Sequence, residues 1–342
     1  MEKARFKWVL RERNRKIAAK TEAFTEQQAR RVRSFHSSFK EYSPTPLIEL
    51  TSLAQHLGIK NLFVKDESYR FGLNAFKVLG GSFAIGSYIA NELGEDIDDL
   101  PYMRLVSDEV RSLLGSKTFI TTTDGNHGRG VAWTANRLKQ QAIVYMPQGS
   151  AAERLANIRA EGAQAEITDM NYDDTVRYTS ELAQKNGWII VQDTAWDGYT
   201  RIPLWIMQGY MTMALEAYEQ LPVKPTHIFL QAGVGSLAGS VQGFFADIYG
   251  SSCPLTFIVE PKGADCLYQT AAANDGSLHS VTGRLETIMA GLACGEPNSI
   301  AWEIIGNLSD GFISCPDYTA AQGMRILGNP LAGDTKVSAG ES

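Results

Sequence analysis

The feature that most constrains this chain is its alternation. Short apolar or β-branched runs at 61–65, 117–123, 142–146, 165–168, 188–191, 227–230 and 255–259 read as strands. Between them, 76–93, 128–140, 152–161, 172–186, 206–218 and 236–248 carry helical spacing. Strands separated by helices predict parallel sheets wound by right-handed crossovers, with ligands at the carboxyl ends of the strands. Three loops follow strands closely, 66–77, 123–130 and 231–239, and are expected to line one cleft. The first forty residues read as mostly helical, with Thr25 and Gln28 as a capping box ahead of 29–39. Pro44 and Pro46 make 42–47 an extended connector, because each pushes its predecessor out of the helical region.

Composition removes several function classes. No apolar run is long enough for a membrane span, and no secretory signal is expected. The formal net charge of −6 does not suit a nucleic-acid coat. The charge is uneven, a local +8 over residues 1–40 against −14 for the remainder, read as a solvated helix face or a contact between subunits. Cys253, Cys266, Cys294 and Cys315 form no C-x-x-C pair, so no metal site is expected and a cytoplasmic enzyme with reduced thiols is. Cys266 and Cys294 could meet in space.

Each loop carries chemistry that is ambiguous alone. Gly233, Gly235 and Gly239 let a backbone approach a ligand ahead of a helix N-terminus, which suits a phosphate. The same loop, with Glu260 closing a later strand, also suits a dinucleotide, and a tight turn without ligand stays open. The turn Thr121-Thr122-Thr123-Asp124-Gly125-Asn126-His127 offers hydroxyls, an amide and a helix start to a carboxylate. Asp124 could instead be a cap and His127 a core histidine. Lys77 lies among Phe76, Val78 and Leu79 at a helix start, where burial and the helix N-terminus lower an amine pKa and make a nucleophile toward an aldehyde. An ordinary surface lysine is the alternative.

Taken together, Ala75-Phe76-Lys77 followed by Gly80-Gly81, the G-N-H turn and the glycine loop occur in an order that resembles the tryptophan-synthase-β-like, fold type II pyridoxal-phosphate enzymes. The resemblance covers roughly 44–342. The runs 70–77, 121–133, 169–177, 192–200 and 288–298 look like the diaminopropionate ammonia-lyase branch. It implies an α/β fold with two open, twisted, mostly parallel sheets flanked by helices. A larger domain would comprise 1–80 and 201–342 and a smaller one 81–200, with pyridoxal 5'-phosphate in the interdomain cleft. Members continue past a segment like Gly340-Glu341-Ser342 with a further strand and helix, where the partner of the pyridine nitrogen is expected.

The resemblance also implies roles. Lys77 would bind the cofactor covalently and Asn126 would pack against its phenolic oxygen. Gly233, Val234, Gly235, Ser236 and Leu237 would hold the phosphate. Thr122, Thr123, Gly125 and His127 would receive the substrate carboxylate. Serine/threonine dehydratases carry Ser before F-K and a small residue before G-N-H, whereas this chain has Ala75 and Asp124. That departure favours a diamino substrate over a hydroxyamino acid. Asp124 and Asp193 are expected to meet the second ammonium, as adjacent buried carboxylates with raised pKa, with Asp124 the base for the D-isomer. The expected reaction is elimination of ammonia from 2,3-diaminopropionate to give pyruvate, by a homodimer. A serine/threonine dehydratase, a dinucleotide-dependent oxidoreductase and a non-catalytic binding protein are the alternatives.

Overall fold

The computed structural model describes residues 5–12, 21–123 and 125–342. Its strands fall into two four-stranded sheets and a two-stranded one. In the first sheet, Gly311–Cys315, Leu255–Pro261 and His227–Gln231 lie side by side in parallel. Lys7–Leu10 closes its other edge antiparallel to Gly311–Cys315. In the second sheet the order is Gln164–Ile167, Gln141–Met146, Thr118–Thr122 and Ile189–Ile190, all parallel. Leu47–Glu49 and Phe63–Lys65 form the antiparallel pair.

The strand Lys7–Leu10 corrects the reading of a mostly helical N-terminus. Its KWVL sequence is β-favouring, but the strand exists because Gly311–Cys315 offers it an edge. The helix Glu26–Ser37 forms as the capping pattern implies, with Thr25 Oγ1 accepting from the Gln28 N–H at 3.2 Å. Register then sorts the first sheet's faces. Leu230, Ile258 and Phe312 share one row and are buried. The opposite face carries Trp8, Leu10, Phe229 and Leu255, exposed at 66%, 68%, 62% and 43%. Parallel sheets are ordinarily covered on both faces, so this open apolar face is unusual.

The two large sheets meet around the helix Lys77–Leu93, which packs against Arg201–Gln220 on one side and Asn126–Arg137 on the other. Glycines set how closely. A Cβ on Gly209 would lie 2.3 Å from Leu79 O, and one on Gly130 would lie 2.8 Å from Val78 Cα. Three helices therefore touch almost backbone to backbone within one turn of Lys77. Nearly every side chain from Val78 to Ala90 is buried there, which fixes the axis that carries Lys77.

Candidate active site

The helix start places Lys77 Nζ 3.0 Å from Asp193 Oδ2. Asp193 follows the edge strand Ile189–Ile190, and its side chain is buried. Its backbone is pinned as well. Ser236 Oγ donates to Asp193 O at 2.6 Å, and Asn298 Nδ2 donates to the same oxygen at 3.1 Å and to Ser236 Oγ at 2.8 Å. The backbone of Asp193, which follows the second sheet's edge strand, is thus tied to loops of the first sheet. Burial pushes the carboxylate's pKa up, but the charges of Lys77 and His127 and the Lys77 hydrogen bond outweigh burial and hold it at about 2. The raised pKa expected for Asp193 is therefore corrected: the Lys77 ammonium lies at its carboxylate, and Asp193 stands as an anion.

The turn after Thr118–Thr122 is organised by Thr123, whose Oγ1 accepts from Gly125 N at 2.9 Å and Gly128 N at 3.1 Å. His127 is buried, and its Nε2–H donates to Val191 O at 2.8 Å, which ties the turn to the segment leading to Asp193. Asn126 is exposed at the first turn of its helix. Thr122 is turned the other way. Its Oγ1 donates to Thr175 O at 3.2 Å and lies 2.7 Å from Thr179 Oγ1, so its hydroxyl serves the helix Tyr172–Asn186 and not a carboxylate in the cleft. Alternation along the strand explains the split between neighbouring threonines. Asp124 lies outside the described residues.

The glycine loop begins the helix Ser236–Tyr249, with Gly235 at φ +101°, a conformation glycine adopts without penalty. A Cβ on Gly233 would stand 3.2 Å from Cys294 Sγ and 3.3 Å from Leu292 Cα, so the 288–298 run closes over the loop. Asn298 N–H donates to Val234 O at 2.8 Å, and Asn298 Oδ1 caps the helix Ser299–Leu308 by accepting from Ile300 N and Ala301 N. Sequence reading assigned Asn298 no role, although an Asn before an apolar helical run is an N-cap signal. Residues 231–239 contain no acidic side chain, and the first N–H groups of a helix lack helical acceptors. With the Lys77 amine at the same cleft, this donor set fits a phosphate-bearing aldehyde. Ser236's hydroxyl is engaged by Asp193 O and Asn298 Nδ2, which leaves the loop's backbone N–H groups to meet an anion.

Glu260 does not fit a ribose-binding role. It is fully buried and accepts from Leu267 N at 2.9 Å and Tyr268 N at 2.6 Å, capping the helix Cys266–Ala273. Burial raises its pKa well above the ordinary value. None of the four cysteines forms a disulfide. A cavity of about 230 Å3, reached by Thr194 next to Asp193 and by Val234 of the glycine loop, is also lined by Tyr172, Asp173, Cys294 and Glu296 among others. A larger, more open hollow of about 710 Å3 near Trp188 and Trp196 contains none of the residues of the three motifs. Among the described residues no cluster of His, Cys, Asp and Glu could hold a metal ion, and no helix is long and apolar enough to cross a membrane.

Two mostly parallel sheets joined by one helix, with a lysine at its start paired to an aspartate that Ser236 of the glycine loop holds, define a fold type II pyridoxal-phosphate enzyme. Residues 39–331 match the pyridoxal-phosphate dependent enzyme family. The chain is 53% identical over 316 residues to the diaminopropionate ammonia-lyase of Salmonella typhimurium, covering 91% of this chain and 78% of that one. The crystal structure of the Escherichia coli diaminopropionate ammonia-lyase in complex with D-serine superimposes with a TM-score of 0.90 at 47% identity, covering 99% of this chain and 84% of that one. The same enzyme with an aminoacrylate-PLP azomethine reaction intermediate gives 0.88 at 48% identity over the same shares. The chain belongs to the diaminopropionate ammonia-lyase family.

Proposed function

We propose that this protein is a carbon–nitrogen lyase that converts 2,3-diaminopropionate, D and L, with one water, to pyruvate and two ammonia. The observation that carries the reading is the Lys77–Asp193 pair, 3.0 Å apart where the three motif segments converge. Pyridoxal 5'-phosphate held there supplies an electron sink that acidifies the substrate's Cα–H. Lys77 carries it, the backbone of Gly233, Val234, Gly235, Ser236 and Leu237 holds its phosphate, and Asn126 packs against its ring oxygen. Thr123, Gly125 and His127 orient the substrate carboxylate. Asp193, an anion by its surroundings, holds the substrate's β-ammonium. Asp124 joins it in that task and takes the Cα proton of the D-isomer, while Lys77 takes that of the L-isomer. Ala75 and Asp124 stand where dehydratases have Ser and a small residue, which supports a diamino substrate.

The reading extends to organisation. Segments 1–80 and 201–342 form the larger domain and 81–200 the smaller, and closure between them excludes water from the reacting substrate. Four cysteines without a disulfide among them support a cytoplasmic enzyme. The open apolar face of the first sheet and the uneven charge support a homodimer, which light scattering at micromolar concentration tests by mass. The function is tested with 2,3-diaminopropionate, serine and threonine, following pyruvate or 2-oxobutyrate release. Turnover led by 2,3-diaminopropionate supports it; faster turnover of serine or threonine would make the protein a dehydratase.

A further inference from the structure

Four charged side chains, two of them buried and two partly buried, lie behind the loop that leads into Lys77. Arg70, 1% exposed, forks onto Glu216, with Nη1 to Oε1 at 2.9 Å and Nη2 to Oε2 at 2.7 Å. It also forks onto Glu67, with Nε to Oε2 and Nη2 to Oε1 both at 2.8 Å. Lys65 Nζ donates to Glu216 Oε2 at 2.8 Å and to Thr45 O at 2.6 Å, and Tyr42 OH donates to Glu216 Oε1 at 3.0 Å. Two cations balance two anions. The cluster joins the 42–47 connector, the strand Phe63–Lys65, the 66–72 loop and the helix Arg201–Gln220, whose Gly209 also presses on Leu79 and Gly80.

Directly after Arg70 the backbone turns left-handed three times before Lys77: Phe71 at φ +50°, Gly72 at +72° and Asn74 at +58°. A bulky residue such as Phe71 resists that conformation, and it persists only where the surroundings over-determine it. Here they do. Phe71 is buried with its ring centroid 5.1 Å from Trp133 and 6.0 Å from Phe39. Leu73 O accepts from Arg129 Nη1 at 3.2 Å. Buried ion pairs return little net stability compared with apolar packing, so a four-charge cluster here is better explained by the geometry it imposes.

We propose that Arg70, Glu67 and Glu216 are positioning residues that clamp the 71–74 segment, with its three left-handed residues, and thereby set where Lys77 presents its amine. None of them touches the reacting atoms; they act through the loop. The inference rests on Lys77 being the cofactor lysine, which Lys77→Ala tests separately: borohydride-stable label persisting in that variant would sink the site reading while leaving the clamp measurable by hydrogen exchange.

The test uses the holoenzyme of Glu216→Gln, Glu67→Gln and the double variant. Glutamine keeps the shape and hydrogen-bonding reach but removes the charge. The readouts are amide exchange of peptides spanning 66–79, the fraction of Lys77 trapped by borohydride, and kcat and KM with 2,3-diaminopropionate. The clamp predicts faster exchange confined to 66–79, reduced trapping, and kcat lowered by about 100-fold for Glu216→Gln with KM little changed. Because both carboxylates act through Arg70, the double variant should fall no further than Glu216→Gln. Normal kcat and trapping in a variant that merely melts earlier would make the cluster a stability element and overturn the proposal. Should Glu216→Gln not fold, Glu67→Gln decides alone, and normal kcat with normal local exchange there overturns it.

Discussion

Replacing Asp193 by Asn removes a charge while preserving shape, and its cost follows from the surroundings of the carboxylate. The group's pKa falls from an ordinary 3.8 to about 2, which corresponds to about 2 kcal/mol in favour of the charged form at neutral pH. The backbone bonds from Ser236 and Asn298 to Asp193 O survive the change, so the loss is confined to the Lys77 pair and the field of His127. For a chain of this length, about 2 kcal/mol lowers the melting midpoint by roughly 3 °C. The folded pKa lies below the unfolded one. The stabilisation is therefore complete above about pH 5 and fades as pH falls through about 2. With Lys77 standing as the ammonium that faces Asp193, thermal melts of cofactor-free wild type and cofactor-free Asp193→Asn should differ at pH 7, keep that difference to near pH 5 and converge below it. Equal midpoints at pH 7, or a gap that widens in acid, would refute the reasoning.

Gly130→Ala should cost about 1–3 kcal/mol, because its Cβ would meet Val78 backbone at 2.8 Å. Gly323→Ala, which opens into free space on the helix Tyr318–Gly328, should instead gain about 0.5–1 kcal/mol, and paired melts compare the two. Asn298→Ala should cost about 2–3 kcal/mol in denaturant titration, since it strips the cap of Ser299–Leu308 together with the bonds to Ser236 and Asp193. Asp124→Asn should abolish turnover of D-2,3-diaminopropionate while part of the L-isomer turnover survives; equal loss on both isomers in steady-state assays would leave Asp124 a binder only.

Much of the site was legible because its motifs are local. The glycine loop, the G-N-H turn and the A-F-K helix start each follow or precede an apolar run, so their place at strand ends could be read from neighbours a few residues away. What escaped depends on distant partners. Lys7–Leu10 is a strand only because Gly311–Cys315 lies beside it. The elements from Ser299 onward, including that strand, went unread for want of alternation as plain as that upstream. Asp193 was expected to have a raised pKa beside another acid, whereas packing sets Lys77 beside it and reverses the direction of the shift. Thr122 and Thr123 look equivalent in a row of threonines, and only the strand's pleat sends one hydroxyl to Thr175 and the other to the turn. Asn298 bridges residues 62 and 105 positions away, a relation no local pattern encodes.

The central claim is that Lys77, opposed by Asp193, carries a pyridoxal cofactor for elimination on a diamino acid. The most direct measurement is borohydride reduction of the purified holoenzyme, followed by proteolysis and mass spectrometry of the labelled peptide. The account predicts a pyridoxyl mass on Lys77 and on no other lysine, formed in competition with 2,3-diaminopropionate. A label on a different lysine, or no label in a preparation that releases pyruvate from 2,3-diaminopropionate, would contradict it.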